Sequence, residues 1–127
     1  MTEPDFLKHA QDEFCFLVES GGFAQVSSEP HRVRYSSNEV MVEVNYSGRG
    51  EVDVMFDENP PSHRFQFRLF LKAYHPAVET ALGYGIANSE DEVRRELNRF
   101  ADALQRYGKP LLEHDRQVFA KMKAFKF

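Results

Sequence analysis

Side chains that could bind a metal are scattered along this sequence. The chain has five histidines and one cysteine, which are His9, His31, His63, His75, His114 and Cys15. None of the histidines stands in the HExxH or Cys/His spacing that holds zinc. Two of them have a glutamate four residues further on, in the pairs His9 with Glu13 and His75 with Glu79. Because two ligands on one helix face are too few for a metal site, the sequence predicts neither a metal nor a cofactor.

Acid–base catalysis has one candidate pair. Glu43 and Asp53 fall on the same face of neighbouring predicted strands, where the pKa of one of two close carboxyls would rise. No nucleophile or phosphate-binding loop accompanies them, since Gly83-Tyr84-Gly85 lacks a strand-loop-helix context and is typical of a helix end. Cys15 lies on the apolar side of the first predicted helix, which indicates a buried, inert thiol. We therefore predict no catalytic residue and no enzyme.

Charge is distributed unevenly along the 127 residues. Residues 1–63 carry 4 Lys+Arg against 12 Asp+Glu, whereas residues 64–127 carry 12 against 8, and the total is −4. The negative total disfavours nucleic acid and anionic membranes as partners. A single cysteine excludes an intramolecular disulfide, and no stretch reaches the roughly 18 apolar residues of a membrane span. With no leader-like start, the expected location is the cytoplasm.

Apolar spacing divides the chain into the elements of one predicted domain, residues 1–127. A helical stripe at the start includes Phe6, Leu7, Ala10, Phe14, Leu17 and Val18. Alternating apolar residues then predict three strands, at about 31–36, 39–46 and 50–57. Residues 63–67 are predicted to form a short strand that passes into a helix near 68–83, kinked or broken by Pro76.

Two further helices are predicted after residue 88. Ser89 and Glu92 form a capping box, and the helix that they open ends at Gly108. Pro110 is predicted to begin the last helix, whose apolar stripe extends to Phe125. The expected fold is α+β, with a short antiparallel β-meander of three or four strands packed on one side by three to four helices.

Strand pairing follows from keeping the apolar side chains on one face of the sheet. A three-residue loop at 47–49 would set Val44 opposite Val52 and Val42 opposite Val54. A four-residue connection at 36–39 would set Tyr35 opposite Val40. The other face of the meander is then polar. Its predicted rows are Arg32 with Glu43 and Asp53, and Arg34 with Met41 and Met55.

Two segments of the chain carry a resemblance. They are the Arg-Gly-Glu-Val turn at 49–52 and the run from Tyr107 to Asp115, with Phe119 beyond it. In these segments and in its order of elements, the chain resembles a group of small uncharacterised bacterial proteins, some of which are similar to immunity proteins of toxin systems. Those proteins usually have glycine where this chain has His114. The resemblance implies an immunity-like binding role and no catalytic residues.

The acidic half of the chain provides a functional hypothesis. We expect a non-enzymatic protein-binding module, immunity-protein-like, whose acidic sheet face binds a basic protein partner. The expected contact residues are Glu39, Met41, Glu43, Glu51, Asp53 and Met55. The alternatives are a secretion-chaperone-like dimer and a small ligand-binding domain or enzyme, which a deep pocket with convergent polar groups would indicate. The expected oligomeric state is a monomer or a homodimer.

Overall fold

The computed structural model describes residues 4–47, 49–83 and 86–124, which form an α+β fold with an antiparallel sheet. The strands are β1 (Ala24–Glu29), β2 (Arg32–Ser36), β3 (Val40–Tyr46), β4 (Val52–Glu58) and β5 (Phe65–Gln66). The helices are α1 (Phe6–Glu13), α2 (Phe16–Glu19), α3 (Phe67–Tyr74), α4 (Pro76–Leu82), α5 (Glu90–Tyr107), α6 (Lys109–Leu112) and α7 (Arg116–Ala124). Among these residues, no helix combines the length and the apolar character that crossing a bilayer requires.

The sheet has five strands in the order β1-β2-β3-β4-β5, instead of the three or four that the sequence predicts. The strand that the sequence pattern misses is β1. Its residues are largely exposed, and its ladder with β2 contains a bulge between Gln25 and Ser27. An edge strand that contributes little to the core does not show the apolar alternation by which buried strands are found.

The predicted registers are wrong by two residues. Val44 lies opposite Val54 instead of Val52, and Tyr35 lies opposite Val42 instead of Val40. Because side-chain direction repeats every two residues along a strand, an even shift keeps every valine on the core face. The β3–β4 loop is longer than expected, and within it the Ser47 hydroxyl accepts hydrogen bonds from the backbone N–H groups of residues 49 and 51.

The register shift changes the rows of the polar face. Glu43 lies between Arg34 on β2 and Met55 on β4, whereas Asp53 lies opposite Asn45. The expected direct pairing of Glu43 with Asp53 is therefore wrong. The repulsion between these two carboxylates, which the predicted register would impose, is absent from the pairing of β3 with β4.

The first and last predicted helices are each interrupted. A turn at Phe14 and Cys15 separates α1 from α2, in which Leu17 of the predicted stripe is buried. Cys15 is exposed, so the prediction of a buried thiol is wrong, and Val18 is 49% exposed. Near the end, a turn at 113–115 separates α6 from α7, and within it His114 has a left-handed φ of 56°.

The remaining helix predictions agree with the structure. The segment after β5 becomes helical at once, and Pro76 begins α4 after a break at His75. The capping box of Ser89 and Glu92 is present at the start of α5. Gly83 ends α4 with a φ of 64°, while residues 84 and 85 of the glycine-rich segment lie outside the described residues, as does Phe125.

One continuous cluster of buried side chains joins the sheet to the helices. The sheet contributes the valines of β2, β3 and β4 together with Phe56, and the helices contribute many phenylalanines. The ring of Phe65 meets that of Phe119 edge to face at 5.6 Å between centroids, and Phe67 stacks on Phe70 at 6.0 Å. The first of these aromatic contacts joins β5 to α7, and the second lies within α3.

Candidate functional site

The side chains that alternate with the core valines form the outer face of the sheet. We define this outer face by the following residues: Glu29, Arg32, Arg34, Met41, Glu43, Asn45, Asp53, Met55, Asp57 and Gln66, with Arg64 beside them. It includes four of the six predicted contact residues. The other two lie elsewhere, Glu39 in the turn before β3 and Glu51 in the β3–β4 loop.

Glu43 is the most buried carboxylate of the outer face, with 8% of the residue exposed. Arg34 donates from Nε to Glu43 Oε1 at 2.6 Å. Asn45 Nδ2 donates to Glu43 Oε2 at 2.7 Å, and Arg64 donates to the same oxygen. We call Arg34, Glu43, Asn45 and Arg64 the Glu43 cluster. The three partners of Glu43 in this cluster lie on strands or in the loop before β5.

The hydrogen bonds of the Glu43 cluster determine the charge of its carboxyl. Burial pushes the pKa of Glu43 upward, but the hydrogen bonds from Arg34 and Asn45 and the charges of Arg64 and Arg34 outweigh burial and lower the pKa. Glu43 is therefore ionised at neutral pH and is unsuited to act as a general acid. Its charge instead holds two guanidinium groups in fixed positions.

The other carboxylates in the middle of the outer face also have internal donors. Asp53 accepts from Gln66 Nε2 at 2.9 Å and from the Val54 backbone N–H at 2.9 Å. Burial raises the pKa of Asp53, and these bonds offset only part of that rise. Asp57 Oδ1 accepts three backbone N–H groups, from residues 58, 62 and 63, at 2.7 to 3.0 Å.

Two depressions lie on the outer face. The first, of about 240 Å³, is lined by Met41 and Met55 together with Arg34, Glu43, Asp57, Pro61 and Arg64. We call it the methionine depression. A more open trough of about 570 Å³ adjoins it, shares Met55 and Arg64 with it, and also has the carboxylates of Glu29, Glu51 and Asp53 in its lining. Among the described residues, neither lining includes a residue from a helix.

Glu39 belongs to a different group of charges. His114 Nδ1 lies 2.8 Å from Glu39 Oε2, and its Nε2 lies 2.7 Å from Glu58 Oε2. Lys123 on α7 also pairs with Glu58. We call Glu39, Glu58, His114 and Lys123 the His114 cluster. It connects the β2–β3 turn and the end of β4 with the last helices, so Glu39 is not part of the outer face.

Sequence reasoning missed the partners that neutralise the predicted acidic face. Asn45 and Arg64 are not marked by any motif, and Arg64 reaches Glu43 from the residue before β5. The sequence does offer one signal for this pairing, because Arg64 is the first residue of the basic half of the chain. No group of three or more His, Cys, Asp or Glu side chains that could hold a metal ion occurs in the part of the chain that the structure describes.

Comparison of the chain with protein-family models, with curated proteins and with solved structures finds no significant match in any of the three. The resemblance to immunity-like bacterial proteins stays a prediction. The geometry of the outer face is therefore the basis for a functional interpretation.

Proposed function

We propose that this chain is a non-enzymatic protein-binding module whose contact surface is the outer face of the sheet. The observation that supports this most directly is the lining of the two depressions, to which no described helix contributes. In this proposal the helices cover one side of the sheet and leave the other side to a partner. An immunity-like role is one form of such binding.

The composition of the methionine depression favours a protein partner. Met41 and Met55 lie diagonally across β3 and β4 and are both only partly buried. Methionine is flexible and polarisable, and it is enriched with arginine in protein interfaces. The arginines beside these methionines are oriented by Glu43, so the rim of the depression is polar and ordered. This arrangement matches an apolar contact surrounded by hydrogen-bonding groups.

A basic partner stays a prediction, and the charges of the outer face give it limited support. The expectation of a basic partner depends on Glu43 and Asp53 being free on the polar face. Both carboxylates are hydrogen-bonded to other groups of the chain, and the outer face carries three arginines beside four carboxylates. Its net charge is close to zero. Affinity for a basic surface therefore has little support from long-range attraction.

Site-specific photo-crosslinking in the cells that make the protein tests the proposed surface. A photoreactive amino acid at position 41 or 55 should give a discrete adduct with another protein, identified by mass spectrometry. The same group at Gln105, which is exposed on α5, is the control. Adducts from Gln105 equal to those from positions 41 and 55, or none from either methionine position, would reject the outer face as the contact surface.

A dimer of the secretion-chaperone type is a second candidate, favoured by the free side of β1. This strand is at the end of the strand order, and its Val26 is 55% exposed. An edge strand with an exposed apolar residue can pair with a second copy. Light scattering should then give twice the mass of 14.8 kDa for the wild type and the monomer mass for Val26→Lys. A monomeric wild type rejects this candidate and leaves the module proposal intact.

A further inference from the structure

Resting on the proposed function, we infer that the partner contributes an acidic, extended segment to the outer face. Arg34 and Arg64 would receive its carboxylates, and the methionine depression would receive an apolar side chain between them. This partner has the opposite charge to the one that the acidic sequence of the strands predicts.

The first support is the unequal exposure of opposite charges in the Glu43 cluster. The side chains of Arg34 and Arg64 are 38% and 50% exposed, whereas that of Glu43 is 10% exposed. A guanidinium group has five N–H donors and no acceptor. Among the described residues, each arginine donates through one nitrogen to Glu43, so both groups keep further donors. The cluster therefore presents positive charge to solvent above a buried negative charge.

In the part of the chain that the structure describes, no hydrogen bond joins a neighbouring carboxylate to Arg34 or Arg64, although the charge of Arg64 acts on Asp53. Asp57 Oδ1 is occupied by backbone N–H groups, and Asp53 is occupied by Gln66 and the backbone of residue 54. Glu29 is bonded to Arg32. The outer face is thus nearly neutral in formal charge but has a surplus of donors at Arg34 and Arg64. Short, charge-assisted hydrogen bonds to incoming carboxylates fit such a surface.

Glu43 acts as a positioning residue in this arrangement. Arg34 binds one of its oxygens and Arg64 binds the other. The two guanidinium groups are therefore held on opposite sides of a single carboxylate. An arginine that is already oriented loses less side-chain freedom when it binds a second carboxylate.

The size of the depressions distinguishes a peptide from a small ligand. The methionine depression, at about 240 Å³, is smaller than the roughly 300 to 1,000 Å³ of typical ligand pockets, so it suits a side chain better than a whole cofactor. The trough continues past Met55 and Arg64 and offers space for more of a chain. An extended segment with a single apolar residue matches both features in size.

Fluorescence anisotropy with defined peptides tests the inference. The probe is a labelled ten-residue peptide of serine and glutamate with a central leucine, and the matched peptides have lysine or glutamine in place of glutamate. The glutamate peptide should bind the wild type about tenfold or more tightly than the lysine peptide, because two charge-assisted contacts are lost. Its binding should weaken as salt is raised from about 0.05 to 0.5 M.

Variants assign the binding to these arginines. The double variant Arg34→Gln with Arg64→Gln should bind the glutamate peptide about tenfold more weakly than the wild type does. Arg64→Gln alone should also weaken binding of this peptide. Arg94→Gln on α5 removes an exposed arginine whose ion pair, within the described ranges, is with Asp91 on the same helix, and it should leave binding unchanged. Circular dichroism checks that each variant is folded. The comparison of the three peptides uses the wild type alone and so does not depend on the folding of a variant.

Several results would overturn the inference. The first is failure of the glutamate peptide to bind the wild type, and the second is tighter binding of the lysine peptide than of the glutamate peptide. The third is binding of the glutamate peptide to Arg64→Gln as tight as to the wild type. If photo-crosslinking at positions 41 and 55 meanwhile identifies a partner through a basic segment, the outer face stays the contact surface and only the acidic segment is rejected.

Discussion

The imidazole of His114 lies 2.7 Å from Glu58, measured from Nε2 to Oε2, and so links the turn before α7 to the last residue of β4. Its other nitrogen lies 2.8 Å from a carboxylate oxygen of Glu39. A neutral imidazole can donate from only one nitrogen, and two carboxylates require two donors. The geometry therefore calls for the protonated ring, and the hydrogen bond to Glu58, which outweighs burial, raises the pKa of His114 with the help of Glu39.

Stability should depend on pH through this cluster. The raised pKa of His114 means that its contribution is full below the ordinary value of 6.5 and is lost as pH rises through the folded-state value. Hydrogen bonds from Lys123, Ser62 and His114 lower the pKa of Glu58 to about 2, so its contribution is full above the ordinary 4.5 and is lost as pH falls toward 2. Urea unfolding midpoints should therefore be highest between these two ordinary values.

A variant at position 114 tests the expected loss of stability as pH rises. His114→Asn removes the titrating ring but keeps a residue that tolerates a left-handed backbone. The difference in unfolding free energy between the wild type and this variant should shrink from about pH 5.5 to about pH 9 as the imidazolium loses its proton. A constant difference across that range would contradict the assignment of the charge to His114.

Glycine and alanine at position 114 should separate the backbone from the side chain. Both substitutions remove the contacts with Glu39 and Glu58. Because φ at 114 is 56°, alanine keeps the left-handed strain, whereas glycine relieves it by about 1 to 2 kcal/mol. His114→Gly should therefore be more stable to urea than His114→Ala, and equal stabilities would argue against a left-handed residue 114.

Glu43 and Glu51 should differ sharply when each is replaced by alanine. Glu43→Ala leaves two arginines and Asn45 without their shared acceptor and should lower the unfolding free energy by about 1 to 3 kcal/mol. Glu51 is exposed in a loop, so Glu51→Ala should change it by less than about 0.5 kcal/mol. Urea denaturation of both variants measures this, and similar losses at the two positions would contradict the structure.

Two glycines with left-handed φ provide another matched pair. Gly22 has a φ of 76° and open space where the methyl group of an alanine would lie, whereas such a group at Gly50, with φ 82°, would lie 2.7 Å from Asn88 Oδ1 and 3.2 Å from the Ala87 carbonyl oxygen. Gly22→Ala should cost about 1 to 2 kcal/mol from the backbone alone. Gly50→Ala should cost more, and thermal melting of both variants compares them directly.

Local signals were sufficient for much of the fold. The capping box at Ser89, the break at Pro76 and the alternating valines each depend on a few neighbouring residues, and each is present as predicted. Register depends on loop conformation as well as on pattern. The apolar alternation could not distinguish a pairing of Val44 with Val52 from one with Val54, because both keep the same face buried.

The candidate site was predictable only in part. The alternation correctly placed Met41, Glu43, Asp53 and Met55 on one polar face. It could not show that Arg64 pairs with Glu43 or that Glu39 turns toward His114, since both contacts join residues far apart in the chain. The division of charge between the two halves is thus used partly within the molecule, where acids of the strands pair with cations that follow them.

The strands of the sheet follow one another in space in the same order as along the chain. Each hairpin can therefore close over a short loop, at small entropic cost, as soon as its two strands exist. The first helix is different, because its partners Glu90 and Asn98 on α5 come about 85 residues later. We expect the sheet to assemble early during synthesis. We expect α1 to dock among the last elements, because it can do so only after α5 has been made.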